Sequence, residues 1–126
     1  MYRISKEFHF SASHQLDHLP EGHQCARMHG HNYVVIVELE HDELNTDGFV
    51  VDYGKLDSFK EFIDEIFEHR HLNEVLDSGL ATTAENLAKY FYDLLRNEYY
   101  GVGYYWLVSA VTVKETDKTA ARYSVD

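Results

Sequence analysis

The 126-residue sequence contains one cysteine, one proline and seven glycines, and no apolar run approaches the length of a membrane span. A lone cysteine excludes an intrachain disulfide. With so little proline and glycine there is no room for a long linker or a low-complexity tail, and 44% hydrophobic residues are enough to bury one core. A single domain spanning 1–126 is therefore expected. Basic residues are scarce as well: 11 Lys and Arg stand against 22 Asp and Glu, for a formal net charge of −11, and no basic cluster breaks the acidic background. That balance argues against nucleic acid or an anionic membrane as partner. Residues 1–7 lack the apolar core of a signal peptide, so the expected location is cytoplasmic.

Histidine, in contrast, is abundant, with nine in the chain. Where they fall depends on the elements around them. From 2 to 14 the even positions carry Tyr2, Ile4, Phe8, Phe10, Ala12 and His14, with Lys6 the one exception, while the odd positions are mostly polar. This is the period of a half-buried strand. A second strand is predicted over 30–41, with Tyr33, Val35, Val37 and Leu39 on its inner face, and 16–28 between the two reads as a surface loop. Phe49, Val50 and Val51 form a short extended piece ending at Asp52, a helix-capping residue type. Leu56, Phe59, Phe62, Ile63, Ile66 and Phe67 follow at helical spacing. Thr82-Thr83-Ala84-Glu85 has the spacing of a capping box opening a second helix, which buries Leu87, Tyr90, Phe91, Leu94 and Leu95. A third strand is predicted over 104–116, with Tyr105, Leu107, Ser109, Val111, Val113 and Glu115 on one face, and a fourth over 121–125. The expected fold is α+β: a four-stranded antiparallel sheet with two helices on one face, in the order ββααββ.

His29-Gly30-His31 places two imidazoles at i and i+2, on one side of an extended chain, with a glycine between them that permits close approach. His14 ends the first strand on its apolar face. If the two strands pair across the loop, the three rings converge. Three neutral imidazoles suit Zn²⁺ and leave a fourth position for water or substrate. Cys25, four residues before His29, has three possible roles: fourth ligand of a closed site, catalytic thiolate, or inert thiol. Glu68-His69 offers a carboxylate beside an imidazole, an orienting pair able to gate a proton, although His and Arg also suit a helix carboxyl end. Glu115, followed by Thr116, can accept hydrogen bonds from the amino-pyrimidinone edge of a pterin or guanine; it can equally be a solvated strand end.

Taken in order, Phe8-His9-Phe10-Ser11-Ala12-Ser13-His14, residues 21–33 with Cys25 and His29-Gly30-His31-Asn32-Tyr33, Gly48-Phe49-Val50-Val51-Asp52-Tyr53, Glu68-His69-Arg70-His71-Leu72-Asn73, residues 82–87 and Val113-Lys114-Glu115-Thr116 span nearly the whole chain. This set resembles the 6-pyruvoyltetrahydropterin synthase superfamily, above all its bacterial 6-carboxytetrahydropterin synthase branch in queuosine biosynthesis. The resemblance implies a tunnelling fold that assembles into a homo-oligomeric barrel with active sites at subunit contacts. It implies zinc on His14, His29 and His31, Cys25 as catalytic thiol, His69 as catalytic imidazole with Glu68 beside it, and Glu115 with Thr116 at the pterin ring. The implied reaction converts 7,8-dihydroneopterin triphosphate to 6-carboxy-5,6,7,8-tetrahydropterin, releasing acetaldehyde and triphosphate. Arg27, Lys118 and Arg122 are candidates for the anionic tail. The chain departs from the family pattern in having Glu68 where Asp is usual, and Thr82 where Pro is common. Related outcomes on the same scaffold are 6-pyruvoyltetrahydropterin synthase and dihydroneopterin aldolase-like activity; a non-catalytic zinc or pterin binding module, or a structural zinc domain, lies outside the enzyme class.

Overall fold

The computed structural model describes residues 1–76, 79–98 and 104–125. Strand β1 (Tyr2–His14) pairs antiparallel with β2 (His29–His41) along its full length, from Tyr2 opposite His41 to His14 opposite His29. The period-two patterning determines which face turns inward. Phe8, Phe10, Ala12 and His14 on β1 and Tyr33, Val35, Val37 and Leu39 on β2 are all buried. Between these strands, the loop is closed by the Leu16 N–H donating to the Cys25 carbonyl and holds one tight turn, Gln24–Ala26.

The helical region departs from one uniform helix. Asp52 accepts from the Gly54 N–H and caps a tight turn, Tyr53–Leu56, that leads into α1 (Asp57–Phe62). Over Ile63–Phe67 the coil then widens, with the Glu68 N–H reaching the Ile63 carbonyl five residues back. The wider turn rotates the face that the regular spacing predicts: Ile66 is 40% exposed while Phe67 is fully buried. Phe67 then meets Phe10 and Phe91, and Phe59 meets Phe8, which locks the helices onto the even face of β1.

Immediately after the wide turn, Arg70–His71 forms β3, a two-residue strand parallel to β1, followed by a short helix α2 (Leu72–Val75). The sheet therefore has five strands, in the order β3-β1-β2-β4-β5, and not the four expected. Two residues carry no periodicity; the pairing is imposed from outside by the Ser11 carbonyl, which accepts the His69 N–H at 2.7 Å.

Helix α3 (Ala84–Asn97) begins one residue later than the capping-box spacing predicts, because Thr83 is the cap and accepts from the Asn86 N–H. It buries Leu87, Ala88, Phe91, Leu94 and Leu95 against the sheet. The predicted start of the next strand is also revised: Tyr105–Leu107 is a tight helical turn, and β4 runs over Val108–Thr116, pairing with β2 and with β5 (Thr119–Ser124). The buried Tyr105 hydroxyl accepts from the Phe59 N–H and bonds the Ser58 hydroxyl at the start of α1, so this residue serves a helix end and not a ladder. Phe49, Val50 and Val51 form no strand, although Val50 and Val51 are buried. Among the described residues no helix is long and apolar enough to cross a membrane.

Candidate active site

The β1–β2 register brings the three imidazoles together. His14 lies directly opposite His29, and His31, opposite Ala12, projects from the same face. One ring nitrogen from each of His14, His29 and His31 lies within 4.8 Å of the others, and the Nε2 atoms of His14 and His29 are 3.0 Å apart. His14 is fully buried. At Gly30, between the two β2 histidines, a Cβ would meet only the Ala12 carbonyl oxygen, at an ordinary 3.5 Å, so the glycine permits close approach without crowding requiring it.

The outer nitrogens of two rings are already engaged. His14 Nδ1 lies 2.8 Å from the Thr82 carbonyl oxygen and 3.2 Å from its hydroxyl, and His29 Nδ1 lies 2.7 Å from the Arg27 carbonyl oxygen. A carbonyl can only accept, so both rings carry their proton on Nδ1 and turn bare Nε2 lone pairs toward each other. Two acceptors 3.0 Å apart repel unless a cation or an added proton sits between them. Three converging imidazoles, two of them oriented by carbonyls on their far side, form the donor set of a zinc site. The residues present therefore fit a divalent metal.

Glu115, on β4, reaches into the same cluster. Its Oε2 lies 3.2 Å from His14 Nε2 and 3.3 Å from His31 Nε2. When His14 also carries a proton on Nε2, its hydrogen bond holds the Glu115 carboxyl below its usual range, against the opposing effect of burial. Burial is likewise the main reason that His31 is pushed toward its neutral form, with Glu115 pulling the other way. Neutral imidazole is the form that ligates a metal. Below the rings, Tyr33 stacks on Phe10 and is fully buried, and its hydroxyl has no hydrogen-bond partner among the described residues.

Cys25 sits half-buried in the Gln24–Ala26 turn as a free thiol. Its sulfur is outside the group of converging donor atoms formed by His14, His29 and His31. Glu68 and His69 form a pair of their own at the edge of β1. Glu68 Oε1 is 3.1 Å from His69 Nε2 and also accepts the Ser11 N–H. The His69 backbone is in the left-handed region, at φ 58°, and its side chain is 82% exposed. Among the described residues, no hydrogen bond or ion pair joins His69 or Cys25 to the three imidazoles.

A family model for 6-pyruvoyl tetrahydropterin synthase matches residues 3–126. The chain belongs to this family. A 6-carboxy-5,6,7,8-tetrahydropterin synthase of Synechocystis sp. is 36% identical over 129 residues, covering 98% of this chain and 93% of that protein. The protein of the same name from Bacillus subtilis is 32% identical over 97 residues, covering 73% of this chain and 64% of the relative's length. The fold agrees too: the structure of Caenorhabditis elegans 6-pyruvoyl tetrahydropterin synthase superposes with a TM-score of 0.82 at 27% identity, covering 99% of this chain and 96% of that one.

Within this 6-pyruvoyl tetrahydropterin synthase framework the other sequence candidates lie apart from the imidazoles. Thr116 bonds Thr119 and the Lys118 N–H in the β4–β5 turn. Arg122 forks onto Glu38, which commits its guanidinium to a carboxylate. Arg27 contributes its carbonyl to His29, and its side chain is exposed. Sequence reasoning missed Thr82, which is buried and holds His14, and Asn73, whose side chain bonds both the N–H and the carbonyl of Gln15 and so pins the end of β1. Both stand inside sequence motifs, Thr82 in Thr82-Thr83-Ala84-Glu85 and Asn73 at the end of Glu68-His69-Arg70-His71-Leu72-Asn73, but nothing local to either pointed to His14 or Gln15 as its partner.

Proposed function

We propose that this chain is a zinc-dependent 6-carboxy-5,6,7,8-tetrahydropterin synthase that acts on 7,8-dihydroneopterin triphosphate, releases acetaldehyde and triphosphate, and serves 7-deazaguanine and queuosine biosynthesis. The observation that carries this reading is the convergence of one ring nitrogen from each of His14, His29 and His31, two of the rings fixed by carbonyls behind them, within a 6-pyruvoyl tetrahydropterin synthase family member. Zinc held by His14, His29 and His31 supplies Lewis acidity to the hydroxyls of the substrate side chain.

The chain's own residues do the remaining work. Cys25 removes and returns a proton at the side-chain carbons, and His69 exchanges that proton. Glu68 fixes the tautomer and the direction of His69; the 3.1 Å contact supports this role, since the extra methylene relative to Asp does not keep the two groups apart. With Oε2 of Glu115 turned to the imidazoles, Oε1 is left for a ring N–H, which places the side chain of the pterin over the rings. Thr116 and Arg27 complete the substrate contacts at the ring and tail. Because His69 is exposed and bonds neither Cys25 nor the imidazoles, the proton relay is completed by a second copy of the chain, in a homo-oligomeric barrel.

The test is incubation of the zinc-loaded protein with dihydroneopterin triphosphate and mass analysis of all products. Acetaldehyde together with a carboxylated tetrahydropterin is expected. A retained three-carbon side chain would instead indicate 6-pyruvoyltetrahydropterin synthase, glycolaldehyde an aldolase, and tight pterin binding without turnover a binding module.

A further inference from the structure

The parallel ladder between β1 and β3 ends with Ser13 opposite His71. Leu72 then opens α2, which takes the backbone out of the ladder. At Gln15 a side chain takes over from the backbone: Asn73 Oδ1 accepts the Gln15 N–H at 3.0 Å, and Asn73 Nδ2 donates to the Gln15 carbonyl at 2.8 Å. A backbone N–H can only donate and a carbonyl can only accept, so Gln15 fixes which end of the Asn73 amide is which. Gln15 is the residue after His14.

That orientation passes on to the ring of His14. Buried Thr82 donates its hydroxyl to Asn73 Oδ1 at 3.4 Å. With the proton turned toward Asn73, the Thr82 hydroxyl oxygen is free to accept from His14 Nδ1, 3.2 Å away, beside the Thr82 carbonyl oxygen at 2.8 Å. Donation thus runs one way, from His14 Nδ1–H to Thr82 and from Thr82 to Asn73, and His14 Nε2 stays bare toward His29. One amide holds both the backbone that follows His14 and the residue behind its ring. Asn73 also ends the segment that carries His69. At the other end of that segment, the Ser11 N–H donates to Glu68 Oε1 at 3.2 Å and the Ser11 carbonyl accepts the His69 N–H at 2.7 Å. Residues 68–73 are therefore fastened to β1 at two points, Ser11 and Gln15, each bound through both its N–H and its carbonyl.

We propose that Asn73 is a positioning residue that ties His14 to the segment bearing His69. Through Thr82 and Gln15 it sets the direction of the His14 ring; by reciprocity, a metal held at the imidazoles firms the attachment of residues 68–73 to β1. The inference rests on the roles of His14 and His69 proposed above, and it makes metal affinity and the placement of His69 depend on each other within one chain.

The test uses the full chain and two variants, Asn73→Leu, which keeps the side-chain volume, and Asn73→Ala; both replacements favour the helical backbone of α2. Zinc affinity, read by competition with a chromophoric chelator on samples whose circular dichroism matches the parent, is expected to fall at least about tenfold in each. Thr83→Ala, which loosens the start of α3 without touching these bonds, is the control and should bind zinc as the parent does. In a Thr82→Val background, Asn73→Leu should lower affinity by a smaller factor, because one of its bonds is already gone. Amide hydrogen exchange reads the second half: zinc should slow exchange of the His69 N–H in the parent and slow it less in Asn73→Leu. Zinc affinity in folded Asn73→Leu equal to the parent's overturns the proposal, as does an equal loss in Thr83→Ala, or zinc protection of the His69 N–H that is the same with and without Asn73. A parent that binds no zinc removes the metal reading and this inference with it. Asn73-dependent zinc affinity in a protein that makes no product from dihydroneopterin triphosphate removes the reaction and leaves the positioning role of Asn73 at His14.

Discussion

The Thr82 carbonyl oxygen accepts the Nδ1 proton of His14 at 2.8 Å, across 68 residues of sequence. This contact and the capping of α3 by the next residue, Thr83, are alternatives for one short segment. Thr82 is turned inward to a metal-ligand candidate, and Thr83 takes the helix end.

The two threonines therefore separate metal affinity from helix stability. Thr82→Val keeps the carbonyl but removes the hydroxyl at 3.2 Å, and zinc affinity is expected to fall about tenfold, the low end of losses from residues behind the ligands. Thr83→Ala should leave affinity unchanged and cost about 1 kcal/mol of stability. Competition with a chromophoric chelator and urea unfolding read the two effects; equal zinc affinity in Thr82→Val would remove the orienting role.

His29→Ala and Cys25→Ala test the open site. The first is expected to lose zinc and turnover while circular dichroism retains the sheet and helices, since only a loop-side ligand is removed. The second is expected to retain zinc and lose turnover by about 10²-fold or more, the scale of a missing proton-transfer group. Metal analysis of Cys25→Ala decides: loss of zinc together with the fold would place the sulfur on the metal.

For the Glu68–His69 pair, Glu68→Gln leaves an acceptor for the Ser11 N–H but removes the charge beside His69. Turnover should fall about 10²-fold with zinc content unchanged, because His69 loses the carboxylate that orients its ring. Unaltered turnover would show that the contact is structural only.

Tyr105 predicts the behaviour at alkaline pH. Burial raises its ionisation above the usual tyrosine range, although the Ser58 and Phe59 donors oppose this. A folded pKa above the unfolded value means that the neutral phenol's contribution is fully present below pH about 10 and is lost as pH rises through the folded pKa. Tyr105→Phe should cost about 1–3 kcal/mol at neutral pH by leaving the buried Phe59 N–H without an acceptor, and should flatten part of the alkaline loss. Tyr33, raised in the same direction by burial and by Glu115, leaves the remainder. Urea midpoints measured from neutral pH upward would show an unchanged slope if Tyr105 plays no part.

The inner faces of β1 and β2 were legible in the order of residues because a strand alternates sides at every position. Once Phe8, Phe10 and Ala12 are buried, His14 must follow them, and His29 and His31 must share a side. The Glu68–His69 geometry was not legible. It depends on the wide turn at Ile63–Phe67 and on the Ser11 backbone, and neither leaves a period in the local sequence. Tyr105 reads as a strand residue for the same reason: its hydroxyl answers to Phe59, far away in the chain.

The sequence by itself determined that three imidazoles would meet at one end of a two-stranded ladder, since side-chain direction along a strand is a local property. Only the tertiary structure decided which nitrogen of His14 and of His29 faces inward, and that sulfur stands outside the cluster. Those outcomes are set by hydrogen bonds between segments tens of residues apart, whose partners are chosen only when the helices close over the sheet.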